Sequence, residues 1–261
     1  MNSTQFSISF SLLFAGLACS GSNHYRNQRP TSLGVPESNL ITPTVTVYGA
    51  LHEIMHGGRT ERRVDLAPMI GQKGLYGLGA LEGLGGETVV WDGELWLSMP
   101  DGKGQAVAAQ HDTTTAGACL LVTSSVKAWT EKTIEKSIPF SGLDTFIERE
   151  ARALGLNVTE AFPFRIEGPV SRLDWHVIDG NKIPAQAHGH EAHMQTAVKG
   201  GLSNVPVRIL GFYSPKHHAI FTHHDTNTHA HVISKSPLAV GHIDHVDIAQ
   251  GFRLFLPSAA H

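Results

Sequence analysis

Two histidines in the C-terminal quarter of the chain have the spacing of metal ligands. His229 and His231 are separated by one residue, and because strand side chains alternate between faces, a strand here would direct both imidazoles to the same side. Ser236-Pro237 then predicts a turn, which would bring His242 back beside the first pair. Three neutral imidazole nitrogens that converge from strands suit Zn²⁺ or another divalent transition metal, with a coordination position left for water or substrate.

Histidine is abundant in this chain, so other histidine groups must be weighed against chance. There are 17 histidines among 261 residues, and His188, His190 and His193 form a second group. That group lies in a stretch, 179–205, without strand-forming residues or helical apolar spacing to hold it rigid. We interpret the stretch as a solvated loop or a lid, and its histidines as weaker metal-ligand candidates.

Length and charge limit the class of protein. With 261 residues and 41% hydrophobic content, the chain can bury the core of one large domain or two small ones. The net charge is −3 with histidines neutral, and there is no dense run of Lys or Arg. Nucleic acid and anionic membrane surfaces are therefore not the expected partners.

The N-terminal segment has the pattern of an export signal. Residues 5–18 form an apolar run too short to span a bilayer, which predicts a signal peptide over residues 1–19. The Leu-Ala-Cys that ends at Cys19 resembles the end of a bacterial lipoprotein signal, so Cys19 is a candidate lipid anchor. We expect an exported protein of the cell envelope, or a periplasmic or secreted one; the alternative is a poorly ordered cytosolic leader. Residues 20–43 are mostly polar and are predicted to form a disordered tether.

Residues 44–258 are predicted to form the folded body. Alternating apolar residues around Asp92-Gly93 predict a hairpin, and an apolar stripe after Ser141 predicts a helix capped by that serine. The glycine-rich stretch 74–87 lacks the spacing of either phosphate-binding motif. Cys119 is expected to be a small buried hydrophobe. Patterns predict strands at 44–48, 88–91, 94–98, 116–126, 162–166, 170–178, 207–212, 219–222 and 246–256, and helices at 51–55 and 141–156.

The order of several motifs resembles the acetolactate decarboxylase family. The resemblance spans most of residues 44–257, and the histidine spacing after a Gly-Phe-Tyr turn is its most specific part. The motifs that carry it are YGALHEIMHGG at 48–58, GLGALEGLGGE at 77–87, GFYSP at 211–215, His229-x-His231-x₁₀-His242, and FRLFLP at 252–257.

The resemblance implies a fold, a cofactor and a reaction. The fold is α/β (α+β), with two β-rich subdomains: a mixed sheet and a smaller, barrel-like sheet. The cofactor is zinc, held by the residues that match the family's ligands, His229, His231 and His242. The reaction is decarboxylation of 2-acetolactate to acetoin, in which the metal acts as a Lewis acid and stabilises the enediolate. Glu87 matches a glutamate at the metal and is the candidate acid or base. A homodimer is left possible.

Two positions differ from the family pattern. His176 stands where the family carries an arginine that can clamp a carboxylate, and Gly251 stands where it carries a glutamate. His176 is then a candidate substrate contact, and Arg172 or Arg253 has the strand parity to replace the arginine.

Two function hypotheses remain. One is a metal-dependent decarboxylase of acetolactate or of a related α-hydroxy-β-keto acid. The other is a surface-anchored metal-binding protein of the same fold, with lost or altered catalysis. A cupin-type oxygenase is disfavoured, because residues 232–236 contain no glutamate ligand.

Overall fold

The computed structural model describes residues 40–184, 187 and 189–259. The predicted signal peptide with Cys19, and the tether up to residue 39, lie outside these residues. Ile41 already pairs with the body: its N–H donates to the carbonyl of Gly155, and its carbonyl accepts from the N–H of Asn157, both at 2.9 Å. Among the described residues, no helix has the length and apolar character needed to cross a membrane.

The N-terminal half forms an antiparallel sheet. Its strands are β1 (Val45–Tyr48), β2 (Val64–Asp65), β3 (Leu75–Leu81), β4 (Glu87–Trp91), β5 (Glu94–Pro100), β6 (Ala106–His111) and β7 (Gly117–Ser125). The order across the sheet is β1-β7-β3-β4-β5-β6, with β2 paired to β7. The predicted hairpin joins β4 to β5, with Asp92 and Gly93 both at positive φ, as a tight hairpin turn requires.

The C-terminal half forms a second sheet that closes partly on itself. Its strands are β8 (Trp129–Ile134), β9 (Phe162–Val177), β10 (Val198–Leu202), β11 (Val205–Tyr213), β12 (Thr228–Lys235), β13 (Leu238–Ile248) and β14 (Phe252–Pro257). Strands β11, β12, β13 and β9 pair in a closed antiparallel circuit, because β11 also pairs with β9. The expected arrangement of two β-rich parts, one of them barrel-like, is confirmed.

Within the described part of the chain, three helices pack on this framework: α1 (Leu51–Gly57), α2 (Leu143–Ala153) and α3 (His190–Thr196). The apolar stripe of α2 is buried in the core of the barrel, as its spacing predicted. The helix begins at Leu143 rather than at Ser141, after a 3₁₀ turn, and no side chain caps it. The predicted serine cap is therefore wrong.

The segment predicted as a strand at 219–222 is a turn. Ala219 has a positive φ of 59°, and the carbonyls of Ala219 and Ile220 accept hydrogen bonds from the N–H groups of His52 and Leu51. These carbonyls satisfy the first N–H groups of α1, which has no side-chain cap. The backbone of this segment caps the start of α1, and its apolar sequence pattern gives no indication of that role.

Two further expectations differ from the structure. The stretch 179–205 contains α3 and β10, although its sequence predicts a loop; β10 is held by backbone pairing with β9 rather than by strand propensity. The two strands predicted on either side of Gly168 are one continuous strand, β9. Gly168 allows this with a φ of 151°, and a Cβ there would lie 2.8 Å from the Cα of Phe252.

A shared core joins the two sheets. Buried residues of the first sheet, such as Leu78 and Val89, belong to the same apolar cluster as Phe212, Ile233 and Val240 of the second. Every residue of β4 is buried, because this strand lies against the barrel. The beginning of β4 is therefore held close to the barrel strands that carry the three histidines.

Candidate metal centre

Strands β12 and β13 bring three histidines together. His231 is directly opposite His242 in the β12–β13 ladder, and His229 lies on the same face two residues earlier. The Nε2 of His229 is 3.2 Å from the Nε2 of His231 and 3.0 Å from the Nδ1 of His242. His229 and His231 are buried, and His242 is partly buried.

The environment of the three rings keeps them neutral. Burial lowers the pKa of His231 to about 3, and it lowers the pKa values of His229 and His242 well below the usual value. The neighbouring imidazoles lower them further. The Nδ1–H of His231 faces the carbonyl of Thr88 at 3.2 Å and donates to it, which leaves Nε2 as the lone pair that faces the other two rings.

These nitrogens fit a shared metal ion. In a tetrahedral zinc site with Zn–N distances of about 2.0–2.1 Å, two ligand nitrogens are about 3.3–3.4 Å apart. The observed separations of 3.0 and 3.2 Å are close to that value. Each neutral ring can present a lone pair to the shared point when its other nitrogen carries the proton, so the arrangement suits a divalent transition metal.

Glu87 comes to the histidines from the other sheet. It is the first residue of β4 and is only 4% exposed, and its Oε2 is 3.7 Å from the Nε2 of His231. Burial raises the pKa of the Glu87 carboxyl well above its usual range, and the nearby charge of Asp244 adds to this, whereas a backbone hydrogen bond from Ile178 opposes it. The structure therefore places a carboxyl that favours its protonated form beside the three imidazoles.

His176 lies against the same group through β9. It is opposite His242 in the ladder, and their ring centroids are 4.8 Å apart. The Nδ1–H of His176 donates to Oδ1 of Asp244 at 2.7 Å. His176, His242 and Asp244 also offer ligand atoms within 4.8 Å of one another.

Asp244 is a site residue that the sequence reasoning missed. It lies at a bulge in β13, where the pairing with β9 shifts between Ile243 and His245. The available signal was its position two residues after His242, which has the same period of two that identified His229 and His231.

An outer set of histidines surrounds this group. The ring of His223 is 5.4 Å from that of His242 and 5.7 Å from that of His190, centroid to centroid, in edge-to-face contacts. Of the second histidine group in the sequence, His190 and His193 lie on α3 and line a small cavity with His229 and His242; His188 lies outside the described residues. His223 was also missed, because no spacing rule links it to His242.

The candidate replacements for the family arginine lie elsewhere. Arg172 pairs with Asp174, and Arg253 pairs with Glu167, both on the surface. Neither arginine lines the small cavity or the larger cleft beside the histidines. Gly251 occupies the turn before β14 at a φ of 82°. Its positive φ favours glycine over the glutamate of the family pattern.

Comparison with known proteins identifies this architecture. The model of the family described as alpha-acetolactate decarboxylase matches residues 46–255. A search of curated proteins gives no match.

Solved structures share the fold. The alpha-acetolactate decarboxylase from Bacillus subtilis strain 168 superposes with a TM-score of 0.61 at 15% identity, over 84% of this chain and 86% of that one. A Staphylococcus aureus protein described as similar to alpha-acetolactate decarboxylase has a TM-score of 0.62 at 13% identity, over 84% and 86%. The acetolactate decarboxylase from Bacillus subtilis subspecies spizizenii has a TM-score of 0.60 at 15% identity, over 84% and 87%. With the family match spanning most of the folded body, the chain belongs to the alpha-acetolactate decarboxylase family.

Proposed function

We propose that this protein is a metal-dependent decarboxylase of acetolactate type. Its substrate is 2-acetolactate, converted to acetoin, or a related α-hydroxy-β-keto acid. The observation that carries the proposal is the convergence of three neutral imidazole nitrogens, from His229, His231 and His242, beside the buried carboxyl of Glu87.

The three histidines would hold the cation. Their nitrogen donors suit Zn²⁺ better than Mg²⁺ or Ca²⁺, which prefer oxygen ligands. When bound, the cation supplies Lewis-acid stabilisation of the negative charge that develops on the substrate oxygens. The hydrogen bond from His231 to the carbonyl of Thr88 holds that ring in its ligating tautomer.

Glu87 would supply the proton that replaces the departing carboxyl group on carbon. Its high pKa favours the protonated acid, and its position beside the histidines puts it within reach of a molecule held there. His176, held by Asp244, lines the same small cavity as Glu87 and would contact the substrate beside His242.

A direct assay tests the proposal. Purified protein loaded with zinc is incubated with racemic 2-acetolactate, and acetoin is measured. We expect acetoin formation that is lost in His229→Ala and retained in His111→Ala, a matched substitution on β6 at a histidine that lines neither cavity. Absence of stoichiometric zinc binding, or turnover that survives His229→Ala, would contradict the assignment.

A metal-binding protein without this turnover is the second candidate. The observation that favours it is the absence of a cationic side chain at the site: His176 replaces the family arginine, and neither Lys nor Arg is among the described residues that line the two cavities. Stoichiometric zinc binding without acetoin formation would support this alternative.

We also propose that the protein is exported and anchored through Cys19. The support is the apolar run that ends in Leu-Ala-Cys. Labelled fatty acid is expected to be incorporated into the wild-type chain and not into Cys19→Ala.

A further inference from the structure

A cleft opens beside the histidine cluster and has more room than a short-chain hydroxy acid needs. Its volume is about 370 Å³, within the range of pockets that hold whole small molecules, which begins at about 300 Å³. The start of α2, the segment 223–228 and β13 form its walls. It adjoins the metal centre, because His190, His223 and His242 line both this cleft and the small cavity.

The cleft has an acidic wall. Asp144, Asp225 and Asp244 line it, and among its described lining residues there is neither Lys nor Arg. Asp144 lies in the first turn of α2 and accepts a hydrogen bond from the N–H of Asn227 at 2.7 Å. The positive end of that helix is therefore already compensated by a carboxylate.

The polar atoms of this wall are mostly acceptors. Ionised carboxylates can only accept hydrogen bonds. A ligand that presents hydroxyl groups would satisfy these atoms, whereas a ligand that presents a carboxylate would be repelled by them.

We propose that this cleft binds the distal part of the substrate and selects a neutral, hydroxylated chain over one that ends in a carboxylate. The inference rests on the proposed function, since the metal centre would hold the α-hydroxy acid end. The substrate class is then an α-hydroxy-β-keto acid that carries a hydroxylated chain beyond its keto group and is larger than 2-acetolactate.

Binding of three unreactive acids to the zinc-loaded full chain tests this specificity without turnover. Lactate has the α-hydroxy acid end alone, gluconate adds a hydroxylated chain, and glucarate ends the same chain in a second carboxylate. By titration calorimetry, we expect gluconate to bind at least about fivefold more tightly than glucarate, since a like-charge contact at partly screened distance is worth about that factor. We also expect gluconate to bind more tightly than lactate, because only the hydroxylated chain donates hydrogen bonds to the carboxylates of the cleft. The attraction of zinc for the more highly charged acid would favour glucarate, so this order is not a generic charge effect.

Substitution of the exposed wall residue localises the effect. In Asp225→Asn, the preference for gluconate over glucarate should fall at least about threefold, because one repulsive charge is removed. Asp112→Asn is a matched control on an exposed residue that lines neither cavity, and it should leave all three affinities unchanged. Equal affinities for the three acids, tighter binding of glucarate, or a preference that Asp225→Asn leaves intact would overturn the inference.

The two proposals fail separately. If gluconate is preferred but no acetoin forms from 2-acetolactate, the cleft assignment stands and the acetolactate reaction does not. If acetoin forms but lactate and gluconate bind equally, the reaction stands and the hydroxylated substrate class is wrong.

Discussion

The protonation of two buried groups decides what the candidate metal centre can do. His231 donates its Nδ1–H to a carbonyl of the opposite sheet and presents Nε2 to its neighbours. Glu87, 3.7 Å from that nitrogen, favours its protonated form because burial penalises the carboxylate. A neutral ligand and a neutral acid can therefore lie side by side without an unpaired buried charge.

Replacement of Glu87 by glutamine should separate activity from stability. Glu87→Gln removes the proton donor, and we expect acetoin formation to fall by about 10²–10⁴. A carboxyl whose pKa is raised on folding stabilises the folded state at pH values below its unfolded pKa. This contribution is lost as the pH rises through the folded pKa. At pH 7 the metal-free variant should therefore be more stable than the wild type.

Urea denaturation in EDTA measures the stability, and Glu135→Gln, an exposed carboxyl on another part of the surface, is the control. A variant that is less stable than the wild type at pH 7, or fully active, would contradict the role assigned to Glu87.

The metal-free protein should lose stability as pH falls below 6.5. The pKa values of His229, His231 and His242 are lowered on folding, so the unfolded chain binds more protons between pH 6.5 and the folded pKa, about 3 for His231. The raised pKa of Glu87 changes stability with pH in the opposite direction, but the contribution of one carboxyl is smaller than that of three imidazoles. We expect the free energy of unfolding to fall by about 2 kcal/mol per pH unit between pH 6 and 5.

Denaturation at a series of pH values, in EDTA, measures this slope. In His231→Asn the slope should decrease by about 1 kcal/mol per pH unit, because the unfolded chain then binds one fewer extra proton relative to the folded state. A stability that is constant from pH 6.5 to 5 would show that the three rings are not buried as neutral groups.

The β12–β13 hairpin carries all three candidate ligands, and its close contact with β9 depends on a glycine. Gly241 pairs with Val232 on one side, and a Cβ at this position would lie 2.7 Å from the carbonyl oxygen of His176 and 2.9 Å from the ring of Trp175. The strand can therefore approach β9 closely only without a side chain here. The next residue is His242, so any shift of the strand moves a ligand.

Substitution of this glycine should weaken metal binding. We expect Gly241→Ala to cost about 1–3 kcal/mol in stability, as overpacking does, and to lower zinc affinity by roughly tenfold, as loss of ligand orientation does. Gly201→Ala on β10 is the matched control, because its Cβ would meet only ordinary contacts at 3.6 and 3.8 Å. Competition with a zinc-chelating dye measures the affinity, and equal affinities in the two variants would contradict the prediction.

The candidate metal centre lies where the two sheets meet. Glu87 and the Thr88 carbonyl come from the first sheet, and the histidines come from the barrel. The same boundary is filled by one apolar cluster with members from both sheets. Binding at this boundary should therefore stabilise both sheets together.

Zinc should raise the melting temperature of the chain in one transition. At a free zinc concentration of about 100 times Kd, the stabilisation is about 2.7 kcal/mol, which corresponds to roughly 5–10 °C for a domain of this size. The shift should be absent in His229→Ala and present in His111→Ala. Scanning calorimetry that resolves two transitions, of which zinc moves only one, would contradict a shared boundary.

Local pattern alone was sufficient for several elements of the site and the fold. The spacing of His229 and His231 and the turn before His242 predicted three imidazoles on one face, because strand periodicity and turn chemistry are properties of neighbouring residues. The Asp92-Gly93 hairpin and the apolar stripe of α2 followed in the same way. The prediction that Glu87 lies at the site came from the family resemblance, since the residues around it in the sequence do not distinguish it from a surface carboxyl.

The tertiary structure alone decided which distant groups complete the site. Asp244 reaches His176 through a bulge, His223 lies beside His242 from a turn that also caps α1, and α3 places His190 and His193 over the cluster. The acidic cleft is assembled from α2, a loop and β13. Such contacts depend on how strands far apart in sequence are paired and packed, and local periodicity carries no information about those distances.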